Sequence, residues 1–216
     1  MINSKMIYRI IGFLLLIETA MLLCCGAVSL FYKENDLQSF LISSAITTGV
    51  GILMLAIGKG AEKSLNRRDG YVIVSTAWIA FSLFGMLPYY IGGYIPSVTD
   101  AFFESVSGFT TTGVTVVSEV EELSRCILIW RSLSHWLGGM GILVFMLAVL
   151  PLRAGNTVHL LRAESSGPSV SKIMPRIQSS ASILYLIYIL LTVINIIFLL
   201  AGHMPAFDAF CTAFGT

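Results

Sequence analysis

The chain has 216 residues, of which 56% are hydrophobic and 12% charged, and its formal net charge is +1. A soluble domain has about a quarter of its residues charged, so this composition excludes an ordinary water-soluble fold and indicates an integral membrane protein. The near-neutral charge leaves no case for a nucleic-acid partner. The four cysteines (Cys24, Cys25, Cys126 and Cys211) lack the spacing of a zinc ligand set or disulfide framework.

The first apolar stretch, about 6–31, is longer than a signal peptide and lacks its usual cleavage pattern, so it reads as a retained span. It carries one ionisable residue, Glu18. A carboxylic acid at that depth is expensive, so Glu18 is expected to face protein and to be hydrogen-bonded or protonated. Packing glue or a snorkelling position is its expected role, with a functional one as the alternative. Residues 33–36 form a short polar turn. The second span, about 40–58, is rich in Gly, Ala, Ser and Thr, a pattern that permits close helix approach.

A basic connector at 59–70 (Lys59, Lys63, Arg67, Arg68) leads to a third span, about 71–91, with Pro88 near its end. From 92 to 124 the chain is too polar and broken to cross a bilayer alone. This region contains Ser107-Gly-Phe-Thr-Thr-Thr-Gly-Val-Thr-Val116, followed by the acidic residues Glu119, Glu121 and Glu122. A fourth span is expected at about 127–150, a polar connector at 153–176, and a fifth span at about 183–201. The N-terminus and the two connectors hold most of the Lys and Arg; Lys33, Arg125 and Arg131 are the others. By the positive-inside rule the N-terminus and both connectors are cytoplasmic, which puts the Thr/Gly stretch outside.

Asp100-Ala-Phe102 recurs as Asp208-Ala-Phe210, and each copy follows a span that ends near a glycine and then a proline, Pro96 or Pro205. This repeat suggests a unit of helix, short re-entrant helix, extended segment and second helix. The short helix is expected at about 99–109, with Asp100 in an N-cap-like place and its partially negative carboxyl end pointing inward toward a cation. Thr110, Thr111, Thr112, Gly113 and Val114 would then return outward. The carbonyls of Thr111–Val114 would replace part of a cation's hydration shell. Gly113 can adopt dihedrals that other residues avoid. Glu104 is expected behind this turn or near the vestibule. Arg131 and His135 lie four apart on one helix face, where structural hydrogen bonds are expected in preference to ion contact. Trp78, Trp130 and Trp136 read as packing or interface anchors.

The Thr/Gly stretch, followed by Arg131-Ser-Leu-Ser-His-Trp-Leu-Gly-Gly-Met-Gly141, resembles the potassium-transporting membrane subunits of bacterial Trk and Ktr systems, Trk-type. The resemblance covers the whole chain. It implies an all-α polytopic membrane protein of potassium-channel-like repeats, incomplete here and preceded by a two-helix hairpin. Residues 1–68 would be the hairpin and basic connector. Residues 69–155 would be the first repeat, with pore helix 99–109, filter 110–114 and inner helix 125–152. A cytoplasmic connector, 156–178, would lead to the start of a second repeat, 179–216. Thr110–Val114 match the family's first filter strand, Gly113 its central glycine, and 207–216 its second pore helix. Gly138-Gly139-Met140-Gly141 also reads as a closely packed point that permits a kink.

The implied function is potassium uptake across the bacterial inner membrane, by passage down the gradient or as symport, within a longer multi-repeat protein. Potassium is then substrate, and no cofactor or enzymatic chemistry is expected. The implied partners are a second full-length chain in a homodimer and a cytosolic nucleotide-binding regulatory ring. The alternatives are a secondary transporter of a small organic solute, with 110–113 as a broken-helix site, and a non-conducting truncated membrane protein.

Overall fold

Long apolar stretches that satisfy their own backbone hydrogen bonds dominate the computed structural model, which describes residues 3–61, 67–141 and 173–216. Among the described residues every regular element is a helix. These are α1 (Ser4–Tyr32), α2 (Leu37–Ile57), α3 (Arg67–Gly85), α4 (Leu87–Ile91), α5 (Val98–Phe109), α6 (125–141), α7 (Ile173–Ala201) and α8 (Ala206–Gly215). A 3-10 turn, Val120–Glu122, precedes α6. Ser4–Tyr32, Leu37–Ile57, Arg68–Ile91 and Ser182–Ala201 are each long and apolar enough to cross a bilayer. The span expected at 127–150 runs partly outside the described residues, as does the connector at 153–176. α7 begins at Ile173, ten residues before the expected start of the fifth span at 183. Pro175 sits in its first turn, where a missing N–H leaves no intrahelical bond unmade.

The chain forms two compact units, residues 1–137 with 214–216, and residues 138–213. In the first, α1 packs on α2 and α3, and α3 packs on α5. Small residues explain how closely α1 and α2 approach. A Cβ on Gly12 would stand 2.7 Å from the Gly51 carbonyl oxygen, and one on Gly58 would stand 2.7 Å from the Arg9 nitrogen. The hydroxyls of Ser43, Thr47 and Thr48 donate back to the carbonyls of Ser39, Ser43 and Ser44, so they bring no unmet polarity into the interface.

The turn joining α1 to α2 is also a structural clamp. Glu34 accepts hydrogen bonds from the backbone N–H groups of Arg125 (2.9 Å) and Cys126 (3.2 Å), which caps α6 with a negative charge. Asp36 accepts from the Tyr94 hydroxyl at 2.8 Å. Burial pushes the Tyr94 phenol up, with Asp36 adding to the shift, so it holds its proton and donates. Glu34, Asp36 and Cys126 place their ligand-type atoms within 4.8 Å of one another, a grouping their sequence spacing does not reveal. Capping and the tyrosine bond account for these carboxylates.

α3 ends at Gly85 and α4 restarts at Leu87. Pro88, the second residue of α4, has no N–H to return to Phe84, so the helix breaks there. In the second unit, Gly139 lies against the Tyr188 hydroxyl, with no room between them for a Cβ.

Gly12→Val should force α1 away from α2, since a Cβ meets backbone rather than a flexible side chain. We expect a loss of about 1–3 kcal/mol, read as a lower thermal unfolding midpoint in detergent, while Gly49→Ala, which meets nothing, changes little.

Candidate functional site

α5 is amphipathic by register. Ala101, Glu104, Ser105 and Gly108 fall at i, i+3, i+4 and i+7 and are all buried. Its N-cap is Ser97, whose Oγ accepts from the Asp100 N–H at 3.3 Å. Asp100 itself is exposed, three residues inside the helix, where it faces the positive end of the dipole. This corrects the N-cap-like place expected for it: the cap needs a residue of extended backbone, and Ser97 supplies one.

Two close approaches fix the depth of α5. Gly108 lies directly against Ser134 of α6, and Gly85 of α3 against the Phe109 ring. Phe109 stacks on Phe81 at 5.4 Å and meets Trp130 edge-on at 6.1 Å. The fully buried Trp130 donates its indole N–H to the Gly85 carbonyl at 2.9 Å. Trp130 is therefore a packing anchor, in line with the sequence reading.

The helix ends in a Schellman turn. The Thr112 N–H returns to the Ser107 carbonyl and the Thr111 N–H to that of Gly108, each at 3.0 Å. Thr111 has φ 57° and Gly113 φ 76°, with Thr112 between them in ordinary negative φ. Alternating backbone hand removes the two-fold alternation of an extended strand, so neighbouring peptide groups need not point to opposite sides. A β-branched residue in the left-handed region is a true outlier that costs about 1–2 kcal/mol. Strain of this kind collects at functional positions. The sequence reading assigned unusual dihedrals to Gly113 alone; nothing in the residue type of Thr111 signals its own.

A buried ion pair holds the strand that follows. Glu104 pairs with Arg131 of α6, and it also accepts from the Thr115 hydroxyl at 3.0 Å and the Val116 N–H at 3.0 Å. Arg131 donates to the Thr115 hydroxyl as well, at 3.2 Å. The Ser107 hydroxyl reaches forward to the Val114 carbonyl. Thus α5 and α6 grip residues 114–116 from behind. His135 makes a structural bond, its Nδ1 lying 2.9 Å from the Arg131 carbonyl oxygen. Glu104, Arg131 and His135 were each visible in the sequence, but the ion pair, and the parts of Ser107 and Thr115, were not.

The front of the strand is open. Residues 110–116 are exposed. Among the described residues no hydrogen bond engages the carbonyl oxygens of Thr111, Thr112 or Gly113, whereas that of Val114 accepts from Ser107. The Thr110 and Thr112 hydroxyls lie 2.8 Å apart.

α8 reproduces the start of α5. Ala209 donates its N–H to the Pro205 carbonyl at 2.9 Å, as Ala101 does to Ser97 at 2.9 Å, and both alanines are fully buried. α7 closes on the left-handed residue His203, and α4 is followed by the left-handed Gly93. From those residues it is five positions to the first residue of α5 and three to that of α8. The second connection is thus shorter by two residues.

A chain whose regular elements are helical among the described residues, with four helices long and apolar enough to cross a bilayer, defines a helical, multi-pass membrane protein. Residues 36–216 match the family model of TrkH, described as cation transport protein, and the chain belongs to that family. The Trk system potassium uptake protein TrkH of Halomonas elongata is 40% identical over 216 residues, covering 99% of this chain and 45% of that protein. The Escherichia coli K12 protein of the same description is 36% identical over 217 residues, again covering 99% of this chain and 45% of its own. The crystal structure of the potassium transporter TrkH from Vibrio parahaemolyticus matches with a TM-score of 0.82 at 32% identity, over 97% of this chain and 42% of that one. The chain therefore spans less than half the length of these relatives.

Glu104→Ala should leave the Arg131 guanidinium half-enclosed and unpaired. We expect a cost of about 3 kcal/mol, at the lower end for a broken buried pair because the Arg131 side chain keeps 15% of its exposure. Thermal unfolding checks it, and the double variant Glu104→Ala/Arg131→Met should recover part of the loss.

Proposed function

We propose that Thr110–Val114 form one wall of a cation filter, and that the longer protein containing this chain takes up potassium across the bacterial inner membrane. The observation that carries this reading is the open row of carbonyls at Thr111, Thr112 and Gly113, set at the carboxyl end of α5. Three uncommitted oxygens in succession suit a monovalent cation stripped of part of its water, and the negative end of the helix dipole favours its charge. Val114 takes part with its second lone pair, the first being engaged by Ser107. Glu104 does not face the ion; its carboxylate is committed to Arg131 and the strand backbone.

In this reading residues 1–68 are a hairpin that precedes the first repeat, residues 69–155 are that repeat, and 179–216 begin a second. One strand surrounds only part of an ion, so the remaining walls come from the rest of the longer protein. The N-terminus and the basic connectors lie on the cytoplasmic side, and the strand opens outward. Potassium passes down its gradient and no bond is made or broken. This reading adopts the partners implied by the resemblance to Trk-type membrane subunits, a cytosolic nucleotide-binding regulatory ring and a second full-length chain in a homodimer.

Gly113→Ser tests the filter. Its left-handed φ holds a side chain only with about 1–2 kcal/mol of strain, so the strand relaxes and its carbonyls move; a differential loss of that size for potassium over sodium corresponds to roughly tenfold. The expected outcome, in potassium-uptake-deficient cells expressing the full-length protein, is growth lost at low potassium and a fall of that order in potassium over sodium uptake. Unchanged selectivity would exclude residues 110–114 as the filter. Inhibition by a small organic solute, with indifference to potassium, would instead favour a broken-helix solute site.

A further inference from the structure

Among the described residues, most buried polar side chains have hydrogen-bond partners. Thr19 donates to the Leu15 carbonyl, Ser29 to that of Glu34 and Thr47 to that of Ser43. Among the described residues, the buried side-chain atoms left without a partner are the two carboxyl oxygens of Glu18 and the hydroxyl of Ser105. Both side chains are closed to solvent, at 0% and 1% exposure. They come from different elements, α1 and α5, yet they converge on one place.

That place is Gly85, where α3 ends. The point one Cβ away from its Cα lies 2.8 Å from Ser105 Oγ and 3.2 Å from Glu18 Oε1. The two oxygens are therefore at most about 6 Å apart, and one water bridges oxygens up to about 5.6 Å apart through two hydrogen bonds of ordinary length. Only glycine fits here, because any Cβ would press on Ser105 and on the Phe109 ring. An unpartnered buried polar group is destabilising, and a buried water with two or more polar partners removes that cost.

We propose that Glu18 and Ser105 hold one buried water molecule between their oxygens, clear of the crowded Gly85–Phe109 contact, and that this bridge sets the position of α5 from behind. Ser105 follows Glu104, which grips the strand at Thr115 and Val116, and it lies one turn before Phe109, where the strand's turn begins. A change in the depth or rotation of α5 therefore passes directly to residues 110–116. Glu18 is then a positioning residue that acts through Ser105 from a helix outside the proposed repeat. The water does not depend on the filter reading; its effect on ion preference rests on it.

Two measurements on the full-length protein test this. A high-resolution structure should show a density peak within hydrogen-bonding distance of both Glu18 and Ser105; continuous apolar packing between them would overturn the proposal. In uptake assays Glu18→Gln, which keeps an acceptor and a donor, should stay within about twofold of the native potassium-to-sodium ratio. Glu18→Leu and Ser105→Ala should each lower that ratio several-fold, with the double variant no worse than the poorer single. Ser105→Ala removes one oxygen and keeps the fold testable if Glu18→Leu does not assemble. If Ser105→Ala matches the native ratio while Gly113→Ser shifts it, the bridge has no positioning role and the filter reading stands. If the peak is present while Gly113→Ser shifts nothing, the water site stands and the filter reading falls.

Discussion

The structure depends on how an irregular stretch of backbone is held beside a bundle of helices. A helix satisfies its own peptide groups, but the strand after α5 cannot, and unpaired groups at membrane depth are tolerated only against protein or water. The Glu104–Arg131 pair meets that requirement on one side. It takes the Thr115 hydroxyl and the Val116 N–H and leaves Thr111, Thr112 and Gly113 with their carbonyls uncommitted. A buried ion pair is weak evidence of stability, since desolvation offsets much of the attraction. Here its value is geometric, because one carboxylate with several acceptor sites bonds two elements at once.

The two-helix hairpin acts as a buttress for that arrangement. Gly12, Gly51 and Gly58 let α1 and α2 meet backbone to backbone, and the turn between them caps α6 through Glu34. α6 in turn carries Trp130 and Arg131, which hold the end of α3 and the strand. A chain of short contacts thus runs from the hairpin turn to residues 114–116. The links are small residues that permit close approach, the charged groups Glu34, Glu104 and Arg131, and the Trp130 indole, which donates to the Gly85 carbonyl.

α8 shows which features of the start of α5 recur later in the chain. The N-terminal turn is preserved down to a single hydrogen bond and a single buried alanine, while the connection before it loses two residues. Helix starts are constrained by packing and capping together, whereas a surface turn tolerates a change in length. The repeat is therefore clear in Asp-Ala-Phe and faint in the residues that precede it.

Most of the fold was legible in the sequence because its causes are local. Apolar stretches long enough to cross a bilayer, and glycine and proline at their ends, are properties of composition along the chain. Thr110–Val114 stood out for the same reason, as small polar residues in an oily setting. What tertiary structure decided was partnership. Glu104 and Arg131 are 27 positions apart, and Glu34 and Arg125 are 91 apart, so their pairing depends on helices meeting in space. The left-handed Thr111 is imposed by the closing turn of α5, against the preference of a β-branched residue. The sequence marked Glu18 as expensive and predicted a hydrogen-bonded or protonated acid. Only the packing shows that it finds no partner among the described residues and that Ser105 is stranded at the same glycine, because burial is a property of the assembled bundle.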